Sequence, residues 1–357
     1  MKAVILAGGF GTRLRPLTLD LPKPIVPIFD RPFLYYQLDL LRQVPEIDEV
    51  ILSLNYQPDR IAARVGDGAE AGVPLRYMVE PEPLGTGGAI KYASAGVDDT
   101  VLVFNGDVLT GIDLGAVVRR HRERDARATI VLTPVDNPSA YGLVETDGDG
   151  NVRRFLEKPR PDEITCDTIN AGIYVLEPDT FDRIPDDTKW SIERQYFPSL
   201  VERAETFVAY VDRGYWLDIG TPASYVRAHR DLMAQRCAAG PFAGRPAATV
   251  HRGAGCQVAV GAVIDGPCFL GDGCVVEDGA RIGPESVLGP GCTIAAGAVV
   301  ERSIVWRGTV VERQAAVHDA VLGEHCHIEH HAEVGPGLIL GNRSTLTAHT
   351  KTPGASG

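Results

Sequence analysis

The sequence predicts an α/β protein in two parts: a mostly parallel sheet covered by helices, then a parallel β-helix of hexapeptide repeats. Three observations carry this expectation. Short runs of β-branched residues alternate with helical patterns through about residue 235; aliphatic residues then recur every six positions; and the join between them, "AAGPFAGRPAAT" (238–249), is rich in Ala, Gly and Pro.

In the first part, "AVILA" (3–7), "EVILSLN" (49–55), "TVLVFN" (100–105) and "ATIVLT" (128–133) read as strands bounded by turn formers. Between the first two, Phe33, Leu34, Leu38, Leu41 and Val44 fall near helical spacing, with Asp30 as the expected N-cap ahead of Pro32. Apolar strands separated by helices build a sheet covered on both faces. Ligands of such sheets sit at the carboxyl ends of the strands. A helix over 222–236, starting at Thr221-Pro222, closes this part.

The second part follows a period of six. The aliphatics are Val258, Ile264, Leu270, Val276, Ile282, Leu288, Ile294 and Val300; after a break of four residues come Ile304, Val310, Ala316, Leu322, Ile328, Val334 and Leu340. Neither a helix nor an alternating strand has this period, whereas a β-helix with one short strand and one turn per hexapeptide does. Three hexapeptides per coil resemble the left-handed, triangular kind. Cys256, Cys268, Cys274, Cys292 and Cys326 each lie four residues after a repeat position and read as small corner hydrophobes. The expected division is an α/β domain over 1–236, a linker over 237–250, the β-helix over 251–341 and a frayed tail over 342–357.

Composition narrows the function. With 35 basic and 47 acidic residues the net charge is −12, which argues against a nucleic-acid binder but not against a nucleotide substrate. No apolar run reaches the roughly 20 residues that a membrane span needs, glycines cut short any signal-peptide core, and a cytoplasmic location is expected. The seven cysteines contain no CxxC pair, so neither a zinc site nor a disulfide framework is indicated.

The chemistry begins where the first strand enters "AGGFGTR". Leu6, Ala7, Gly8, Gly9 and Gly11 form a tight loop poor in side chains, able to bring backbone N–H groups close to an anion, and a following helical turn would add its dipole. The spacing is neither the dinucleotide fingerprint nor a Walker loop. Alone, the glycines read as an ordinary turn; Thr12, Arg13 and Lys23, the last set between prolines, point to phosphate. Asp107 follows Asn105-Gly106 past an apolar strand, where the plain alternative is a hairpin turn. Asp218 precedes the Thr221-Pro222 helix start, where the alternative is a capping carboxylate. Two separated aspartates suit Mg²⁺ completed by substrate phosphates. Glu157 and Lys158 can bind a hydroxyl and a phosphate, or form a solvated pair.

These segments together resemble the sugar-1-phosphate nucleotidyltransferases. "AVILAGGFGTRLRPLTLDLPKPIVPI" (3–28), "EPEPLGTGGAI" (80–90), "NGD" (105–107), "YGLVE" (141–145), "EKP" (157–159), "NAGIY" (170–174) and "WLDIGTP" (216–222) follow the family's motifs in order over about 230 residues. The resemblance implies a Rossmann-like nucleotidyltransferase domain, here of the branch with a carboxy-terminal left-handed β-helix. It implies that Leu6, Ala7, Gly8, Gly9, Gly11, Thr12 and Asn105 bind the nucleotide, with Arg13 on the β and γ phosphates and Lys23 near the α-phosphate. Glu80, Pro83, Leu84, Gly85 and Thr86 would line the base pocket. Gly142, Glu157, Lys158, Asn170 and Gly172 would bind the sugar phosphate, and Asp107 and Asp218 would hold Mg²⁺. The implied reaction joins a nucleoside triphosphate and a sugar 1-phosphate; the flat faces of stacked coils point to a homo-oligomer, and charge and hydropathy to no nucleic-acid or membrane partner.

Thymidylyl relatives resemble "PDGLAQA" where this chain has "PLGTGGA" (83–89), and uridylyl relatives carry His where Gly88 stands. Both differences tilt the expected base towards guanine; mannose as the sugar is what the family resemblance implies. Three alternatives stay open: UTP or dTTP with glucose 1-phosphate, a second acyltransferase activity using His318, His325, His327, His330 or His331, and a sugar-nucleotide sensor without catalysis.

Overall fold

The computed structural model describes residues 1–353; residues 354–357, the end of the expected tail, lie outside the described residues. The chain packs as two compact units, Met1–Phe10 with Leu34–Asp218, and Gly11–Phe33 with the chain from Ile219 onward.

The first unit holds strands β1 (Lys2–Leu6), β2 (Glu49–Leu54), β3 (Leu75–Val79), β4 (Val101–Asn105), β5 (Val108–Thr110), β6 (Ala128–Pro134), β7 (Gly142–Thr146), β8 (Val152–Glu157), β9 (Thr168–Leu176), β10 (Phe207–Val211) and β11 (Trp216–Asp218). Its helices are α1 (Leu34–Leu41), α2 (Pro58–Val65), α3 (Gly85–Ala93), α4 (Leu114–Glu123) and α5 (Phe197–Glu202). The sheet runs β8-β7-β9-β4-β1-β2-β3, with β6 on β9 and β10 on β6. The section β4-β1-β2-β3 is parallel; β9 turns the direction and the strands beyond it pair antiparallel, except β10 on β6. Ala3, Val4 and Ile5 of β1 are buried on both faces, which is why the run lacks polar alternation. Val4, Ile51 and Val103 share one core with Ile130, Tyr174, Phe197 and Phe207, whose rings pack at 5.1 and 5.2 Å.

Helix α1 departs from expectation at its start. Asp30 is not its N-cap: Pro27–Ile28 and Arg31–Pro32 pair as a short hairpin with Phe29 at φ 59°, so Asp30 occupies the turn. The helix begins only at Leu34, and all its residues except Asp39 are buried.

The second unit is a triangular coil. Three parallel sheets of six, six and five short strands stack with ladder steps of 18 residues, as in Leu270 on Leu288 (288 − 270 = 18), and 17 in the middle coils, as in Leu288 on Val305 (305 − 288 = 17). The expected inward positions hold through Val300 and from Leu322 onward. Between them the structure corrects the register: Val305, Val311 and Val317 stack inside, not Ile304, Val310 and Ala316. Two coils are each one residue shorter at the same corner, which sequence reading had rendered as one four-residue break. The doublets Ile304-Val305, Val310-Val311 and Ala316-Val317 hid the shift, because either member is apolar. The coil continues past 341: Thr345–Leu346 pairs with His327–Ile328, and Lys351 bridges Glu333.

Left-handed residues turn each corner. One column runs Gly255, Gly273, Gly291, Gly308, His325 and Arg343; a second runs Gly279, Gly297, Gln314, His331 and His349; a third runs Glu285, Arg302, Asp319 and Gly337. The corner cysteines close the stack as expected: Cys256, Cys274, Cys292 and Cys326 donate to Gly271, Gly289, Trp306 and Gly341 carbonyls at 3.1–3.2 Å. Burial pushes the Cys268 thiol up to about 12, so it behaves as a hydrophobe.

Helix α6 (Pro222–Met233) starts where expected, with Thr221 and Ser224 forming a capping box. It packs within this unit through Tyr225, whose hydroxyl donates to the Pro27 carbonyl at 2.6 Å and accepts from Trp306 Nε1 at 2.9 Å. His229 Nε2 accepts from the Phe29 N–H at 3.0 Å, and Phe29 packs on Phe242 and Phe269.

Candidate active site at the carboxyl edge of the sheet

Strand β1 ends at Leu6, and Ala7 N–H still donates to the Ser53 carbonyl at 2.9 Å. Gly8 lies against the neighbouring strand end: a methyl there would stand 3.2 Å from Asn55 N and 3.4 Å from Glu80 Oε1, whereas Gly9 faces open space. In the second unit, Gly11 adopts φ +60°, and a methyl there would press on Thr18 Cγ2 at 3.2 Å and Lys23 Cβ at 3.3 Å. Thr18 Oγ donates to the Gly11 carbonyl at 2.7 Å, fixing the turn beside Lys23. Thr12 and Arg13 are exposed on a single 3-10 turn, Thr12–Leu14. The expected dipole contribution is therefore corrected: one 3-10 turn has little macrodipole, and the positive charge here comes from side chains.

The turn carrying Asp107 is not a hairpin. β4 pairs with β1 and β9, β5 pairs with β11, and the two strands do not pair with each other. Gly106 donates to the Leu6 carbonyl at 3.0 Å and has no room for a side chain against it. Gln37, buried in α1, clamps both ends of the turn by donating to the Asn105 carbonyl at 2.9 Å and the Val108 carbonyl at 3.0 Å. Antiparallel pairing of β5 with β11 sets Asp218 opposite Val108, one register step from Asp107. Both aspartates are half-buried. Among the described residues no group of three or more His, Cys, Asp or Glu side chains is arranged as a metal site. A two-carboxylate set fits Mg²⁺, which takes its remaining ligands from phosphates and water, and does not fit an all-protein cage such as structural zinc needs.

The residues expected on the sugar side gather around β7, β8 and β9. Gly142 has no space for a side chain: its methyl would meet Phe155 Cζ at 2.6 Å and Glu157 Oε2 at 3.1 Å. Gly172 (φ +76°) lets Asn105 approach to 2.7 Å of the same hypothetical atom, and Asn105 Oδ1 is buried without a protein partner. Asn170 donates to the Tyr174 hydroxyl and accepts from Gly172 N–H, both at 2.9 Å. Glu157 is no solvated partner of Lys158: burial raises its pKa first, the nearby Glu193 charge adds to this, and Lys158 and Arg194 oppose it. Trp216 Nε1 donates to the Ala171 carbonyl at 2.9 Å, tying the Asp218 strand to β9.

The base-loop residues form one folded piece. Glu80 is buried; its Oε1 accepts from Ser53 Oγ and its Oε2 from Leu84 N–H, both at 3.0 Å. Residues 84–88 are then zipped to 188–193. Trp190 N–H donates to the Leu84 carbonyl at 2.8 Å, and Gly87 and Gly88 N–H donate to the Trp190 carbonyl at 2.8 and 3.2 Å. Thr86 Oγ accepts from Ile192 N–H at 2.9 Å and donates to Glu193 Oε2 at 2.8 Å, which also accepts from Ser191 Oγ at 2.7 Å. Methyl groups on Gly85 and Gly88 would stand 2.8 Å from the Trp190 and Thr188 carbonyls. Gly88 is thus required by packing against 188–190, a reason independent of the base. Sequence reading missed Gln37, Ser53, Trp190 and Glu193. A glutamine inside "LYYQLDLL" was a visible signal; "SIERQY" carried none.

The repeat histidines belong to the second unit. His325 and His331 are corner residues in the left-handed conformation that His tolerates better than most. His331 stacks on His349 at 5.0 Å, His327 and His330 share Glu312 at 2.7 and 3.4 Å, and His318 faces Glu301 at 3.5 Å. Their concentration follows from corner geometry and surface pairing.

A family model described as "Nucleotidyl transferase" matches residues 2–235, and one described as "EIF2B subunit epsilon LbH domain" matches 247–352. The chain is 41% identical to a mannose-1-phosphate guanylyltransferase of Mycobacterium tuberculosis, over 76% of this chain and 75% of that one. It is 35% identical to a probable mannose-1-phosphate guanylyltransferase 1 of rice, over 96% and 91%. Among solved structures, HddC from Yersinia pseudotuberculosis complexed with GMP-PN is 34% identical with TM-score 0.56, covering 65% of this chain and 99% of that one. Among the described residues no helix is long and apolar enough to cross a membrane.

Proposed function

Since this chain belongs to the nucleotidyl transferase family and carries a left-handed β-helix behind it, we propose that it joins GTP and mannose 1-phosphate to give GDP-mannose and pyrophosphate. The observation that carries the choice of base is Glu80. It is a buried carboxylate beside Gly8 and the base loop, with each oxygen already accepting one hydrogen bond and retaining a lone pair for another. Guanine presents two adjacent donors, N1–H and the 2-amino group, which a carboxylate accepts together. Uracil and thymine present one N–H flanked by carbonyl oxygens, which a carboxylate repels.

In the reaction, a phosphate oxygen of the sugar 1-phosphate bonds to the α-phosphorus. The bond from that phosphorus to the β-bridging oxygen breaks, and pyrophosphate leaves with the electron pair. The attacking oxygen is already anionic, so no general base is needed; the work is alignment and charge neutralisation. Gly8, Gly9, Gly11, Thr12 and Asn105 would receive the triphosphate and ribose, with Arg13 on the β and γ phosphates and Lys23 at the α-phosphate; these roles rest on the motif. Pro83, Leu84, Gly85 and Thr86 would flank the base. Gly142, Glu157, Asn170 and Gly172 would orient the sugar, and Lys158 would take its phosphate. Asp107 and Asp218 would hold Mg²⁺, which when bound neutralises charge on phosphate oxygens.

Turnover measured with GTP, ITP, ATP, UTP and dTTP against mannose and glucose 1-phosphates tests this reading. GTP with mannose 1-phosphate should be preferred, and Glu80→Gln should lower kcat/KM for GTP roughly a hundredfold, since a site built to hydrogen-bond its substrate loses heavily when a partner changes. ITP, which lacks the 2-amino group, should suffer less from the substitution. Turnover confined to UTP or dTTP with glucose 1-phosphate would overturn the proposal.

A further inference from the structure

We propose that Glu193 is a positioning residue for the base loop: by clasping Thr86 it holds residues 84–88 in one shape and so sets how sharply the site discriminates between bases. The inference rests on the guanylyl-transfer reading above and adds to it a residue far from every motif. Three backbone hydrogen bonds join the loop to this segment, all of them at Trp190, so by themselves they leave the register of the residues beyond it open. The side-chain clasp fixes that register. Thr86 Oγ accepts from Ile192 N–H at 2.9 Å and spends its single proton on Glu193 Oε2 at 2.8 Å, so the hydroxyl has no proton left to donate to the nucleotide.

Two further features make Glu193 more than a surface acid. Ser191 Oγ donates to the same oxygen at 2.7 Å, so the carboxylate is oriented from both sides. Its charge also reaches the sugar side, where it helps raise the Glu157 carboxyl and the Tyr174 hydroxyl. One carboxylate therefore connects the base loop by hydrogen bonds to the sugar pocket by its field. The glycines agree with this geometry: methyl groups on Gly85 and Gly88 would strike the Trp190 and Thr188 carbonyls at 2.8 Å, so the loop can close on this segment only with glycine at both positions.

The test uses the full chain with Glu193→Gln, Thr86→Val and the pair combined. Without substrate, amide hydrogen exchange at Gly87, Gly88 and Trp190 should quicken in each variant, and Thr86→Ser, which keeps the hydroxyl, should restore most of the protection lost in Thr86→Val. With substrates, KM for GTP should rise about tenfold, as expected for losing a charge-assisted hydrogen bond. The kcat at saturation should stay within about twofold, and the preference for GTP over ITP should shrink. The double variant should be no worse than Thr86→Val alone, because that substitution already removes the bond to Glu193. Unchanged exchange, additive losses, or a rise confined to KM for the sugar phosphate would each overturn the clasp. A chain that turns over UTP in place of GTP would instead overturn the substrate reading, and the exchange comparison would still decide the role of Glu193.

Discussion

The sheet edge and the β-helix solve their local problems in opposite ways. In the β-helix the same device recurs every 17 or 18 residues: an inward aliphatic, a thiol or hydroxyl donating to the next coil, a left-handed corner. At the sheet edge every device occurs once. Gln37 clamps one turn, Glu80 anchors one loop, Glu193 clasps one threonine, and one short strand pair sets Asp218 opposite the residue after Asp107. A repeated device spreads the consequence of a lesion over neighbouring coils, where it is read as stability. A singular device concentrates the consequence in the chemistry. Substitutions in the two regions should therefore separate into losses of rate and losses of folding free energy.

The sharpest separation is expected at Asp218. Asp218→Asn preserves shape and removes one negative charge from the pair proposed to hold Mg²⁺. Turnover should fall roughly a hundredfold or more, the scale for deleting a preorganised electrostatic group. Chemical unfolding should move by less than about 1 kcal/mol, as for polar substitutions outside a core. Steady-state rates across a Mg²⁺ titration, beside a denaturation curve, check both halves. A variant that unfolds early yet turns over normally would make Asp218 a structural carboxylate and erase the contrast.

The same contrast governs what could be read from the chain. β1, β2, β4 and β6 were legible to within about a residue because they are buried on both faces and show unbroken apolar runs. The period of the β-helix was equally plain, but its phase between Val300 and Leu322 was not, since an apolar doublet satisfies either register. Asp30 looked like a cap because Asp before Pro commonly is one; a two-residue hairpin took its place. At the edge, the motif residues were visible and their supports were not. The Glu193–Thr86 bond spans 107 residues of sequence, and nothing local to "SIERQY" distinguishes it from a surface helix. Motifs record which atoms a site needs, while the contacts that aim them are long-range and leave no period behind.

A medium effect, on stability alone, is expected at His229. The ring is fully buried; Nδ1 donates to the Tyr225 carbonyl and Nε2 accepts from Phe29 N–H, both at 3.0 Å, which requires the neutral form. Burial lowers its pKa to about 4 from the ordinary 6.5. Between those values the unfolded chain binds a proton that the folded chain refuses, so stability rises with pH. The contribution is complete above about pH 6.5 and is lost as pH falls towards 4, amounting to about 3 kcal/mol. Denaturation curves at pH 7, 5.5 and 4.5 should show that slope, and His229→Gln, which can donate and accept without titrating, should flatten it. An unchanged slope in the variant would assign the pH dependence elsewhere.

The smallest effect tests whether corner columns are limited by backbone or by neighbours. Gly291 and Gly308 share one column and nearly one conformation, φ +68° and +67°. A methyl on Gly291 meets nothing within 4 Å, so Gly291→Ala should cost only the left-handed conformation, offset in part by a less flexible unfolded chain, or about 1 kcal/mol net. A methyl on Gly308 runs into the His325 ring of the next coil, so Gly308→Ala should cost more by whatever that ring must yield. The column already carries His325 and Arg343 in this conformation, which shows that the backbone term alone is tolerable. Equal losses in the two variants would mean that His325 moves aside freely and that each coil is more independent of the next than its stacking suggests. A larger loss at Gly308 would show the coils coupled through their corners as well as through their strands.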